Sequence, residues 1–185
     1  MDRTPFRTTP AAGPYAHMTH LPAMVILDNV RSLYNTGAFF RTADACAVEK
    51  LVLCGITPRP DQGTKQKRAI SKTALGAEES VKWEYADSTT SALEAAIAAG
   101  YHVAAVETSP QGIDLYEWQP EWPVCLVFGH ETEGVSPDVA RYCETHVRIP
   151  MLGRKHSLNV ATSAGVVLYE LLRKHSERGA LSTGP

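Results

Sequence analysis

Short apolar runs return along the chain with helix-patterned or irregular segments between them, and this alternation limits the architectures open to the chain more than any other feature. Met24 to Leu27, Leu51 to Cys54, Tyr101 to Val106, Val124 to Phe128 and His146 to Ile149 read as strands, with a further one at Val81 to Tyr85. Several are apolar at consecutive positions, as strands covered on both faces must be. Between them, residues 35–48 and 88–99 carry helical spacing, and Gly100 stops the second. Ser136-Pro137-Asp138 has the cap and first-turn residues of a short helix. Residues 107–123 read as irregular. From Ser157 to about Lys174, two adjacent stripes, Leu158/Ala161/Gly165/Leu168/Leu172 and Val160/Ala164/Val167/Leu171, give a final helix with a broad buried face. The expectation is an α/β fold: a mostly parallel sheet flanked by helices, with ligands held outside the carboxyl ends of the strands.

The chain has 185 residues, which at about 150 residues per domain is a single domain. Residues 1–21, rich in Pro and Thr, are expected as a flexible arm, residues 22–176 as the domain, and residues 177–185 as a flexible, frayed tail. The polar stretch 57–72 reads as a loop. Apolar runs fall far short of the ~20 residues that cross a bilayer, so no membrane partner is expected. A net charge of −2 means that any polyanion must be met by a local patch. The stretch 59–72 is such a patch, with Arg59, Lys65, Lys67, Arg68 and Lys72 against Asp61 alone; a merely solvated surface would look the same. Four widely spaced cysteines without a C-x-x-C pair read as reduced, buried thiols of a cytoplasmic protein. His17 and His20 have a metal-like spacing but no accompanying ligands, so no metal is expected.

Three segments at strand ends could carry chemistry. In the first, residues 29–43, Gly37 lies one turn before Arg41; the missing side chain would leave room for a group to reach the guanidinium, a planar fork suited to phosphate. Asn35 would cap the helix or orient the arginine; the alternative is an ordinary cap and a solvated Arg41. In the second, Gly129-His130-Glu131-Thr132-Glu133-Gly134-Val135-Ser136, two glycines flank a carboxylate, which suits either a direct backbone grip on a ligand or a plain turn. The third, residues 149–161, leads into the last helix through Ser157 and Asn159, where free N–H groups favour an anionic or carbonyl group; Ser157 could equally be an N-cap alone. Dinucleotide and phosphate-loop fingerprints and a G-x-S-x-G elbow are absent.

Taken in order, N-x-G-x-x-x-R-T-A at 35–43, G-x-E-x-x-G-V-S at 129–136 and I-P-M-x-G-x-x-x-S-L-N-V-A at 149–161 resemble the motifs of the SpoU (TrmH) branch of the SPOUT RNA methyltransferases, over residues 23–173. The resemblance implies a SPOUT fold with a C-terminal deep trefoil knot, a homodimer, S-adenosylmethionine as methyl donor, and ribose 2′-hydroxyls of tRNA or rRNA as acceptors. It also implies adenosyl contacts from the loops holding Thr108, Gly129 and Ile149 to Met151, with Leu158 beside them. Arg41, Asn35, Glu131, Ser157 and Asn159 match its catalytic and structural positions. Lys65, Lys67, Arg68 and Arg154 are the candidate RNA contacts, while His130 falls where the motif varies and receives no role. Because a guanidinium stays protonated, Arg41 is expected to clamp a phosphate and stabilise developing oxyanion charge, with Asn35 fixing its rotamer and Ser157 and Asn159 aligning donor or nucleophile. Ala161, Ser163, Ala164 and Gly165 suit close packing or a dimer surface. Two other readings of the same motifs are an RNA-binding assembly factor without turnover and a base methyltransferase.

Overall fold

The computed structural model describes residues 13–16, 18–109 and 112–182. Most of the expected N-terminal arm, His17 included, lies outside the described residues, as does the very end of the expected tail. Within the arm, Gly13–Tyr15 form a 3-10 turn, and the first strand already begins at Leu21. The elements are β1 (Leu21–Asp28), α1 (Leu33–Ala45), β2 (Val48–Cys54), α2 (Thr64–Ala74), α3 (Ala77–Ser80), β3 (Trp83–Ala86) and α4 (Thr89–Ala98). They continue with β4 (His102–Val106), β5 (Ile113–Asp114), β6 (Val124–Phe128), α5 (Pro137–Ala140), β7 (Thr145–Arg148) and α6 (Val160–Ser182).

The seven strands form one sheet in the order β3-β2-β1-β6-β4-β7-β5, every pairing parallel. Because side chains alternate across a strand, Val25 and Leu27 of β1 enter one core layer, under α1, α2 and α6, whereas Met24 and Ile26 enter the other, under α4 and α5. Phe39 of α1 meets Phe128 of β6 edge to face, with centroids 5.1 Å apart. The four thiols are free and buried; loss of hydration pushes Cys46, Cys54 and Cys143 up to about 12 and Cys125 in the same direction. No helix of the described residues is long and apolar enough to cross a membrane.

Three local expectations are corrected. The stretch 57–72 is not all loop: α2 occupies its second half, opened at Gly63 and closed by Leu75 in the left-handed region at φ 54. It buries only Ile70 and Ala74, so its sequence is nearly as polar as a loop. What holds α2 is α1, for a Cβ at Gly37 would collide with Thr73 Oγ1 and the Ile70 carbonyl oxygen. Gly37 therefore admits a neighbouring helix, not a ligand on its way to Arg41. The strand expected at 81–85 begins at Trp83, behind the short helix α3. The last helix begins at Val160, not Ser157, and runs on to Ser182 instead of fraying after Ser176. Its continuation has a cause: the Lys174 ammonium is buried and donates to the carbonyls of Leu115 (2.6 Å), Tyr116 (3.4 Å) and Trp118, close to the Glu170 carboxylate. These bonds tie α6 at Lys174 to the segment after β5.

Candidate active site

Parallel pairing puts the carboxyl ends of β4, β6 and β7 on one edge of the sheet, and the loops leaving them enclose a cavity of about 200 Å³. Every residue expected to touch the cofactor lines it: Thr108 after β4, Gly129 after β6, Ile149 and Met151 after β7, and Leu158 before α6. Glu131 and Ser157 also reach its wall. Asn35, Asn159 and Arg41 do not.

The loop after β6 is locked. His130 and Gly134 exchange backbone hydrogen bonds (3.1 and 2.9 Å), and a Cβ on Gly129 would strike the backbone of Gly134 and Val135. Glu107 closes the arrangement from β4. One of its oxygens accepts from Thr108 N (2.9 Å) and the other from Val135 N (2.9 Å), directly where a side chain on Gly134, at φ 70, would have to sit. Glu107 was not among the expected site residues; its place immediately after a strand, beside Thr108, was the available signal.

Glu131 extends away from this loop to the start of α1. Its Oε2 accepts from Arg31 N (3.1 Å), and its Oε1 accepts from Ser32 N (3.0 Å) and Asn35 Nδ2 (3.0 Å). Asn35 Oδ1 accepts in turn from Asn159 Nδ2 (3.1 Å), and Asn159 Oδ1 accepts from Ala161 N (3.0 Å) and Thr162 N (3.2 Å). The chain of amides is directional, since reversing either asparagine would set donor against donor. It ties the three sequence segments together, with the Asn35 amide bonded to both Glu131 and Asn159. Burial alone would raise the Glu131 carboxyl, but the N–H groups of Arg31 and its own backbone, the Asn35 amide and Ser32 N–H outweigh burial and hold it below the ordinary carboxylate range.

These bonds revise three expectations. Ser32, not Asn35, caps α1, accepting from Asn35 N; Asn159, not Ser157, caps α6. Asn35 also cannot fix the rotamer of Arg41. Six residues along a helix separate the two by roughly 9 Å of rise and about 120° of rotation, and the Asn35 amide is committed to Glu131 and Asn159. Arg41 stands exposed on α1, outside the lining of the cavity.

The basic patch is smaller than its sequence. Arg59 pairs with Asp61 (3.1 Å) and lies 4.2 Å over the Tyr85 ring, so it belongs to the fold. Lys65, Arg68 and Lys72 recur at helical spacing on α2 and are exposed, as is Lys67, whose Nζ is 3.8 Å from Glu79. Arg154 is exposed in the loop after β7. His20 is exposed and lies 3.6 Å from Glu49; among the described residues no cluster of three His, Cys, Asp or Glu could hold a metal ion.

Comparison with known proteins gives a consistent picture. Residues 22–169 match the model of the SpoU rRNA Methylase family. The chain is 30% identical over 162 residues to the tRNA (guanosine(18)-2'-O)-methyltransferase of Aquifex aeolicus, covering 86% of this chain and 72% of that protein. It is 33% identical over 156 residues to the 23S rRNA (guanosine-2'-O-)-methyltransferase RlmB of Photorhabdus laumondii, covering 84% and 61%. The first of the curated relatives it matches are longer proteins, of which the chain spans 60–61%. Its fold is similar to the crystal structure of the A. aeolicus TrmH/SpoU tRNA modifying enzyme, with a TM-score of 0.76 at 28% identity, covering 88% of this chain and 80% of that one. It is similar also to the AdoMet-bound rRNA methyltransferase from Sinorhizobium meliloti, with a TM-score of 0.74 at 30% identity, covering 82% and 56%.

Proposed function

The chain belongs to the SpoU rRNA methylase family, and from that premise we propose that it is an S-adenosylmethionine-dependent RNA 2′-O-methyltransferase acting on tRNA or rRNA. The observation that carries the proposal is the cavity where the loops after β4, β6 and β7 meet, held to the start of α1 by Glu131. Its lining suits the cofactor. Val106, Phe128, Val147 and Ile149 offer an apolar surface for a flat base, and the charged lining residues are Glu107 and Glu131, with no Lys or Arg among them. Such a wall suits a ligand with a cationic centre. Bound S-adenosylmethionine would supply an electrophilic methyl group on a sulfonium that becomes a neutral thioether on transfer.

The protein's part is alignment and exclusion of water. Thr108, Gly129, Ile149, Met151 and Leu158 would hold the cofactor. Ser157, on the wall of the cavity, would orient the attacking ribose hydroxyl or the donor. Asn35 and Asn159 lie outside the lining of the cavity, and Glu131, though it reaches the wall, has its oxygens committed to Arg31 N, Ser32 N and the Asn35 amide, so the three are positioning residues. Arg41 would hold the phosphate beside the target ribose and stabilise charge growing on the attacking oxygen, the proton leaving through phosphate or water.

One chain does not bring Arg41 to its own cavity, which supports a homodimer in which a second copy supplies it. The outer face of α6, where Tyr169 is exposed and a Cβ on Gly165 would meet nothing within 4 Å, offers a surface for that copy. On the same family reading we propose a trefoil knot in the C-terminal half. The insertion of β4 between β6 and β7 and the return of α6 to the segment after β5 are consistent with it. Four free thiols support a reducing cytoplasmic setting. Lys65, Lys67, Arg68 and Arg154 are the side chains proposed to meet RNA.

The deciding assay supplies methyl-labelled S-adenosylmethionine with bulk RNA lacking modifications and then resolves the labelled nucleosides. Label on the ribose 2′-oxygen is expected. Label on a base, or stable RNA binding without transfer, would reject the proposal in favour of a base methyltransferase or an assembly factor.

A further inference from the structure

His130 lines the cavity, and the proposed chemistry gives its side chain no part. Its ring is nevertheless held in a definite state. Nδ1 lies 3.2 Å from Thr132 N, 3.3 Å from Glu133 N and 3.1 Å from Thr132 Oγ1. Two backbone N–H groups pointing at one ring nitrogen require a lone pair there, so the proton of the neutral imidazole resides on Nε2. The backbone of the same residue is clamped by its paired bonds with Gly134. With Nδ1 turned back onto its own loop, Nε2–H is left as a fixed donor with no partner among the described residues, on a residue that lines the cavity.

The cavity wall holds no Lys or Arg, and its two carboxylates are occupied by backbone N–H groups or the Asn35 amide. His130 is the only lining residue with a side-chain N–H. We infer that His130 is a binding residue whose Nε2–H donates a hydrogen bond to an anionic oxygen of a ligand at this cavity. That oxygen belongs either to the carboxylate of the cofactor's methionine moiety or to an RNA phosphodiester beside the target ribose. The inference rests on the proposed function, and it assigns to this chain a ligand contact at a position the family motif leaves variable.

Two substitutions separate the ring's two edges. Asn places an oxygen where Nδ1 stands and supplies nothing at Nε2; Gln places an amide N–H near Nε2 and gives up the Nδ1 acceptor. Dissociation constants are measured by calorimetry for S-adenosylhomocysteine and for methylthioadenosine, which lacks the amino-acid moiety, and by filter binding for unmodified tRNA and rRNA transcripts. Thermal melting of each variant checks the loop. In His130→Asn the melting temperature should hold, while one ligand loses roughly ten- to a hundredfold in affinity, the value of a hydrogen bond to a charged group. His130→Gln should bind that ligand more tightly than His130→Asn does. A loss for S-adenosylhomocysteine that spares methylthioadenosine identifies the carboxylate, and a loss for the transcripts alone identifies the phosphodiester. The inference is overturned if His130→Asn binds every probe as the wild type does, or if both variants lose equally, for then the loop cap alone explains the residue. If the wild type binds neither S-adenosylhomocysteine nor RNA, the proposed function itself falls and takes this inference with it.

Discussion

A carboxylate that accepts from three nitrogen donors is a poor candidate for taking a proton during a reaction, and this defines Glu131. Its oxygens face the open N–H groups at the start of α1 and the Asn35 amide, where negative charge is favoured by the helix dipole. Because the folded pKa is depressed, the stabilisation is complete above the unfolded value of about 4.3 and is lost as pH falls through the lower folded value. Acid titration of the wild type should therefore show a loss of stability below about pH 4 that is blunted in Glu131→Gln. Since the residue is exposed, the substitution should cost only about 1 kcal/mol at neutral pH after solvent screening, yet reduce kcat through misplaced loops. An acid unfolding curve for Glu131→Gln superimposable on that of the wild type would remove the clamp from the account. Among single residues, the sequence singled out Asn35, Glu131 and Asn159 but not the hydrogen bonds that join them. It could place Asn35 near Arg41 by proximity along the chain, whereas the amide turns to groups 96 and 124 residues away.

At the scale of elements, α2 shows where a hydrophobic pattern loses its power. A helix that buries one narrow strip, Ile70 and Ala74, has too few apolar positions to display a period, and its charges resemble those of a solvated loop. Its formation depends on docking against α1 at Gly37, information carried by a different stretch of chain. If these side chains meet RNA as proposed, the helix presents Lys65 and Arg68 three residues apart on one turn, with Lys67 between them, in place of a flexible strand of charges. Replacing Lys65, Lys67 and Arg68 by Gln should weaken RNA binding and flatten its dependence on salt, lowering the log–log slope by up to about 2 if each contacts one phosphate. Binding of S-adenosylhomocysteine should stay as it was. Unchanged RNA affinity across a salt series would exclude α2 from the RNA surface. The strands and α6 lie at the opposite extreme: Val124–Phe128 matches its expected bounds, and α6 departs from them only at its ends, where side-chain caps and the Lys174 anchor take over from the apolar stripe.

For the whole molecule, the consequence of the fold is that the cavity and Arg41 do not meet within a single chain. Co-expression of Arg41→Ala with a chain whose cavity is filled, Thr108→Trp, tests whether a partner completes the site. Each variant alone should be inactive, whereas random pairing should restore roughly a quarter of wild-type activity, because half the dimers then contain one intact site of two. Recovery no greater than the sum of the parents, with mixed dimers present by mass, would show that Arg41 acts within its own chain or not at all. The sequence alone determined the layered α/β plan and the strand ends as the place for chemistry, because apolar periodicity is a local property written along the chain; Thr108, Gly129, Ile149, Met151 and Leu158, which line the cavity, were named through the resemblance of the motifs, and Glu107 was not named at all. Tertiary structure alone decided which side chains bond to which: that Asn35 joins Glu131 and Asn159, that Gly37 admits a helix, and that Arg41 lies outside the lining of the cavity. Those outcomes depend on the register of a parallel sheet and on the rotation of helices packed over it, and both are set by contacts between residues far apart in sequence.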